Sequence, residues 1–140
     1  MKVLNYGTIK IAIAKIILED TSNIFEILPN NVQILNIKCW EQAVFSTILA
    51  LKSFERKTNK AKTIKGEILL RASGALQIKD AIEDVGAKKG ENFILAFGEE
   101  AEKDLQEVLS KIPAEEIPFE DCEKEEVKEL FEKAALIDVL

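Results

Sequence analysis

The 140-residue chain, 47% hydrophobic, can bury one substantial core and is expected to form a single domain over 1–140. Nineteen Lys and Arg face twenty-five Asp and Glu, a net charge of −6 that argues against a generic nucleic-acid binder. Histidine is absent, which excludes Ser–His and Cys–His nucleophilic pairs within the chain and removes the commonest metal ligand.

In chain order, strand and helix signals are mixed. Ile9, Ile11 and Ile13 alternate with Lys10, Ala12 and Ala14, which predicts a strand, with residues 1–5 as a hairpin partner across Tyr6-Gly7. A short helix is expected after Asp20-Thr21-Ser22, whose oxygens can cap it, and Pro29-Asn30-Asn31 should end it. Residues 32–38 read as a strand. Trp40, Ala43, Val44, Thr47, Ile48 and Leu51 form a long helical stripe, and Phe45 and Leu49 add a second apolar side.

Two shorter helices follow. Ile68, Leu69 and Ala72 keep helical spacing up to Gly74, a residue suited to the left-handed conformation that ends helices. Ile78, Ala81, Ile82 and Val85 then mark one face of a second helix, which Gly86 should close in the same way. The unbroken run Phe93-Ile94-Leu95-Ala96-Phe97 predicts a central strand. The last third is acidic and helical, over residues 99–111 and 123–135, with Pro113 just past the first of these. These elements predict an α+β (mixed α/β) fold with a single sheet of about four strands covered by helices.

The same pass limits the chemistry. Cys39 and Cys122 lack Cys-x-x-Cys spacing, so two free thiols are expected rather than a zinc or dithiol site. Carboxylate pairs such as Glu99-Glu100 and Glu125-Glu126 sit in charge runs that read as solvated helix surface. No phosphate loop or dinucleotide fingerprint occurs. The chain is therefore expected to be no enzyme and to carry no cofactor or metal. Its apolar runs near residues 11–18 and 44–51 are too short to span a membrane, and the N-terminus does not read as a signal peptide. A soluble, cytoplasmic protein is the expectation, and eighteen isoleucines with abundant Lys and Glu suit a thermophile.

Charge is unevenly placed. Between Lys52 and Arg71 there are seven basic residues and two acidic ones, whereas residues 99–140 hold fifteen acidic residues and five lysines. The basic part could hold phosphates while the acidic part faces another partner. The start of the helix after Gly74 would present backbone N–H groups near Ala75 to Ile78 to an anion. Read alone, the glycines better suit ordinary helix caps, and the lysines a solvated loop.

The order of these features carries a resemblance. A buried helix (Trp40 to Phe54) leads to Lys57, Lys60, Lys62 and Thr63, then to Glu67-Ile68-Leu69-Leu70. Ser73-Gly74-x-x-Gln77-Ile78-x-x-Ala81-Ile82-x-x-x-Gly86 follows, with a closing Asp138-Val139-Leu140. This resembles the small regulatory subunit of the KEOPS tRNA-modification complex, the family of the eukaryotic p53-related-kinase-binding protein and its archaeal counterparts. The chain departs from it at Ala75 and Leu76, where relatives often carry polar or basic residues.

The resemblance implies a non-catalytic subunit that binds the atypical kinase/ATPase subunit and the single-stranded 3′ CCA end of tRNA, supporting threonylcarbamoyl-adenosine (t6A) formation. A purely protein-binding scaffold is the alternative. For tRNA, the expected contacts are Lys60, Lys62, Lys65 and Arg71 on phosphates, the backbone of Gly74, Ala75, Leu76 and Gln77 at the helix start, and Lys79 beside it. For the kinase-like partner, the expected surface is the C-terminal run Leu136, Ile137, Val139 and Leu140, supported by Val127, Leu130 and Phe131. Whether that tail is exposed or folds back on its own core is open at this stage.

Overall fold

The computed structural model describes residues 1–139. They divide into two compact units, each built from two separate stretches of chain: Met1–Asn36 with Ala87–Glu120, and Ile37–Gly86 with Asp121 onward.

The first unit is an open antiparallel sheet with two helices. Strand β1 (Lys2–Tyr6) turns through Gly7, at φ +60°, into β2 (Ile9–Leu18), the predicted hairpin. Helix α1 (Ile24–Ile27) follows, then β3 (Val32–Leu35). After the second unit's first stretch come β4 (Gly90–Phe97), α5 (Ala101–Leu109) and β5 (Ala114–Ile117). Strand β4 lies between β2 and β3, as its apolar run predicts, with Ile13 opposite Leu95 and Ile34 opposite Ile94. The fifth strand was not expected. Its sequence, Ala-Glu-Glu-Ile, looks like a charged connection, yet it pairs with Lys15 to Leu18 along the same edge of β2 that β1 occupies further back. The N-terminal ammonium meets Glu116 at 2.8 Å near that edge.

Even-numbered residues of the sheet, Ala12, Ala14, Ile16, Leu18, Ile34, Ile94 and Ala96, pack with Ile24 of α1 and Leu105 and Val108 of α5 into one core. Each large side chain removed from water contributes about 1.5–3 kcal/mol. The capping expected from Asp20 to Ser22 takes another form. The Asp20 carboxylate accepts from the Ser22 N–H at 2.9 Å, closing a turn, and Asn23 at φ +61° leads into α1 with no side-chain cap.

The second unit is helical: α2 (Trp40–Arg56), α3 (Ile64–Ser73), α4 (Ile78–Val85), α6 (Lys124–Leu136) and a terminal 3-10 turn (Ile137–Val139). Helix α2 packs on α3 and α6, and α3 also contacts α4. Phe45 stacks on Phe131 with ring centroids 4.1 Å apart, and Gln42 donates to the Ala72 carbonyl at 2.6 Å. Gly74 ends α3 at φ +78°, as expected. Gly86 also ends α4, its N–H donating to the Ile82 carbonyl, but not in the left-handed conformation expected. Its φ is −66°, and glycine is needed there for space, because a Cβ would stand 2.5 Å from the Ile82 carbonyl oxygen.

The cysteines also correct the sequence reading. Cys39 and Cys122 are joined in a disulfide, with Cα atoms 5.8 Å apart, which ties the N-terminal end of α2 to the segment entering α6. The pairing spans 83 residues of sequence, so no local spacing announces it.

Candidate nucleic-acid interface and partner surface

The connection from α2 to α3 is fixed by one carboxylate. Glu67, fully buried in α3, accepts the backbone N–H groups of Lys60 and Ala61 on one oxygen, at 2.8 and 2.7 Å. Asn59 donates to the Ala61 carbonyl at 2.8 Å, and Thr63 caps α3 by accepting the Gly66 N–H at 3.0 Å. A basic loop that could have been loosely solvated is thus held in one shape, with the side chains of Lys60 and Lys62 exposed.

Beside it lies a cleft of about 450 Å³. Lys60, Lys62, Leu76, Gln77 and Lys79 line it, together with Leu70 and Ile78. Five of the nine residues expected to meet nucleic acid therefore come together here. Leu76 is 51% exposed, although half-burial in the core was an equally good reading of it. Ile78 was read as core and is 37% exposed, as is Ile82 at 42%. Only Ala81 and Val85 of that stripe are buried, so α4 keeps an apolar edge facing solvent.

The other expected contacts are placed differently. Lys65 is half-buried, and loss of hydration pushes its ammonium pKa below the ordinary value. The Ala75 N–H donates to Ser73 Oγ at 3.0 Å and is not free for an anion. The groups left over at the start of α4 belong to its first turn, since the Ala81 N–H already bonds Gln77. Gly74 sits against Lys133 of α6, whose Cε would lie 2.9 Å from an added Cβ.

Arg71 is the clearest departure. Its side chain is wholly buried, with Nε donating to Glu67 at 3.1 Å and Nη2 to Asp138 at 2.7 Å. It cannot reach a surface phosphate from this position. Asp138 gains from the same contact: the Arg71 hydrogen bond and charge hold its carboxyl below the usual range, with Lys60 and Arg56 adding to the effect.

The C-terminal surface is divided. Ile137 is fully buried and folds onto the unit's own core, whereas Leu136 and Val139 are 54% and 77% exposed. Val127, Leu130 and Phe131 are half-buried, Phe131 against Phe45. Leu140 lies outside the described residues.

In the first unit, a cleft of about 380 Å³ carries Lys10 and Lys103 but also Glu99, Glu100 and Glu102. Among the described residues, Cys39, Glu41 and Cys122 bring three possible metal ligands within 4.8 Å. Their two sulfurs are bonded to each other, and Glu41 accepts the Cys122 N–H at 3.0 Å, so the group as it stands offers no thiolate. No helix among the described residues is long and apolar enough to cross a membrane.

Comparison with known proteins bears on the whole arrangement. Residues 31–137 match the family model described as kinase binding protein CGI-121. A curated relative, the KEOPS complex subunit Cgi121 of Pyrococcus abyssi, is 44% identical over 136 residues, covering 96% of this chain and 80% of that protein. The matched residues take in the basic loop and helix α6 and end at Ile137, and the chain belongs to the CGI-121 family.

Proposed function

We propose that this protein is a KEOPS subunit that docks on the atypical kinase/ATPase subunit and holds the 3′ CCA end of tRNA, assisting t6A formation without contributing catalytic groups. The kinase-like partner is supported by the family and by the name of its P. abyssi member. It is also supported by Leu136 and Val139, two apolar side chains left in water at the end of a packed helix.

One observation carries the RNA reading: a single cleft has three lysines, Lys60, Lys62 and Lys79, on its rim and exposed apolar side chains, Leu76 and Ile78, beside them. Unpaired nucleotides need both, cations for the backbone and a non-polar surface against which bases can pack. The net charge of −6 disfavours duplex binding in general, and local charge at one cleft suits a single-stranded end.

The test is binding of the purified protein to intact tRNA and to the same tRNA lacking its CCA, at two salt concentrations. Intact tRNA should bind more tightly. Joint Lys60→Glu and Lys62→Glu substitution should weaken it and flatten the salt dependence by about 0.7 in slope per lost phosphate contact. Equal binding of both tRNAs, or an unaffected double variant, would sink the assignment and leave a protein-docking scaffold.

A further inference from the structure

The basic loop and the C-terminal turn are joined by an unbroken chain of hydrogen bonds. The Lys60 and Ala61 N–H groups donate to Glu67 Oε1, at 2.8 and 2.7 Å. The other oxygen of Glu67, Oε2, accepts from Arg71 Nε at 3.1 Å, and Arg71 Nη2 donates to Asp138 Oδ1 at 2.7 Å. Both middle side chains are wholly buried, whereas Asp138 is 45% exposed at the far end. Arg71 Nη1 is buried and has no hydrogen-bond partner among the described residues.

We propose that Asp138 is a positioning residue for the Lys60–Ala61 edge of the cleft, acting through Arg71 and Glu67, so that what happens to the C-terminal turn alters how the cleft holds RNA. This rests on the reading of the cleft as the tRNA site. The argument is one of supply and demand for acceptors. A buried guanidinium needs carboxylate oxygen, and here two carboxylates share it, leaving Glu67 Oε1 to the loop amides. Removal of Asp138 would leave Arg71 with two unsatisfied nitrogens and one acidic partner. Its remaining carboxylate partner is Glu67, which also holds Lys60 and Ala61, so the guanidinium and the loop then compete for it. A partner that engages the terminal turn and draws Asp138 away would act on the cleft by the same route. By linkage, RNA in the cleft would alter that partner's affinity by the same factor.

The effect has a diagnostic sign. Asp138→Asn removes a negative charge from the neighbourhood of Lys60, so direct electrostatics alone would tighten binding of a polyanion. Positioning predicts weaker binding instead.

The experiment compares the wild type with the Asp138→Asn, Asp138→Glu and Glu129→Gln variants. Amide hydrogen exchange at Lys60 and Ala61 is read together with affinity for intact tRNA. Asp138→Asn should speed exchange at both amides by about tenfold or more and lower tRNA affinity by about fivefold. Asp138→Glu should recover part of both effects, and Glu129→Gln, which removes an exposed carboxylate of α6 outside this chain of bonds, should change neither. Unchanged exchange at Lys60 and Ala61 overturns the proposal. So does faster exchange with unaltered or tighter tRNA binding, provided that the wild type distinguishes the CCA end. If the wild type ignores that end, the reading of the cleft falls instead, and the exchange rates alone decide whether Asp138 positions the loop.

Discussion

The two units use different means to fix their shape. In the sheet unit the buried polar side chains among the described residues are Gln33 and Asn92, and Asn92 serves a local turn, bonding the carbonyls of Lys88 and Gly90. The helical unit buries Gln42, Ser46, Thr47, Ser53, Glu67, Arg71 and Ser73. Several of its contacts reach far along the chain: Gln42 to Ala72, Arg71 to Asp138 and the Cys39–Cys122 bond. Apolar packing tolerates side chains of similar size, whereas a buried ion pair or disulfide specifies one arrangement. The unit with specified contacts is also the one that carries the lysine-rimmed cleft and the exposed C-terminal side chains.

The sharpest break in that comparison comes from Arg71. Arg71→Met leaves Glu67 buried without its cation and should cost about 3–5 kcal/mol. Ile94→Ala in the sheet core should cost a similar amount, about 2–5 kcal/mol, by leaving a cavity. Rescue separates the two. Adding Glu67→Gln to Arg71→Met should restore part of the loss, because the orphaned charge is removed, whereas an apolar cavity has no comparable single-site remedy. Urea denaturation of the three variants measures this, and a double variant no more stable than Arg71→Met would contradict the ion-pair account.

The difference between the units also explains what the sequence revealed. Strand alternation in residues 9–14, the apolar run at Phe93–Phe97 and the long stripe from Trp40 are local patterns, and each element formed where the pattern lay. The lysines and Leu76 that line the cleft were legible for the same reason: they lie close in sequence around one helix pair. Long-range pairings left no such mark. Arg71 looked like one more cation in a basic stretch, and nothing near it announced Asp138, 67 residues away. Cys39 and Cys122 were hidden in the same manner. Strand β5 was missed because its stability comes from an available edge of β2 rather than from its own side chains, of which Glu115 and Glu116 are exposed.

The disulfide provides a second, smaller break. Cys122→Ser should lower stability by about 2–4 kcal/mol through greater freedom of the unfolded chain. Trp40, the one tryptophan in the sequence, lies in the helical unit next to Cys39, and its indole donates to Asp121 at 2.9 Å, so its fluorescence reports on the stapled region. The expected outcome is an earlier fluorescence transition in urea for the variant, matched by the wild type in strong reductant. Coincident transitions for oxidised and reduced wild type would show that the bond adds nothing to the helical unit.

The smallest effect separates the units by pH. Asp20, in the sheet unit, and Asp138, in the helical unit, are both held below their ordinary pKa, Asp20 by hydrogen bonds from Ser22 and Asp138 by the hydrogen bond from Arg71. A carboxyl depressed in the folded state stabilises the fold above its unfolded value, about 3.9, and that contribution is lost as pH falls through the lower folded value. For Asp20 the loss touches one exposed turn. For Asp138 protonation weakens the link between the terminal turn and α3, with Lys60 and Arg56 no longer drawn to it. Acidification from pH 5 towards pH 2 should therefore loosen the terminal turn in the wild type, and Asp138→Asn should already show that loosening at pH 7 and change less in acid. Carboxyl titration of Asp138 by NMR, with amide exchange at Ile137 and Val139, measures both. An ordinary Asp138 pKa, or an acid response identical in the variant, would mean that the Arg71 contact is too weakly formed in solution to hold the terminal turn.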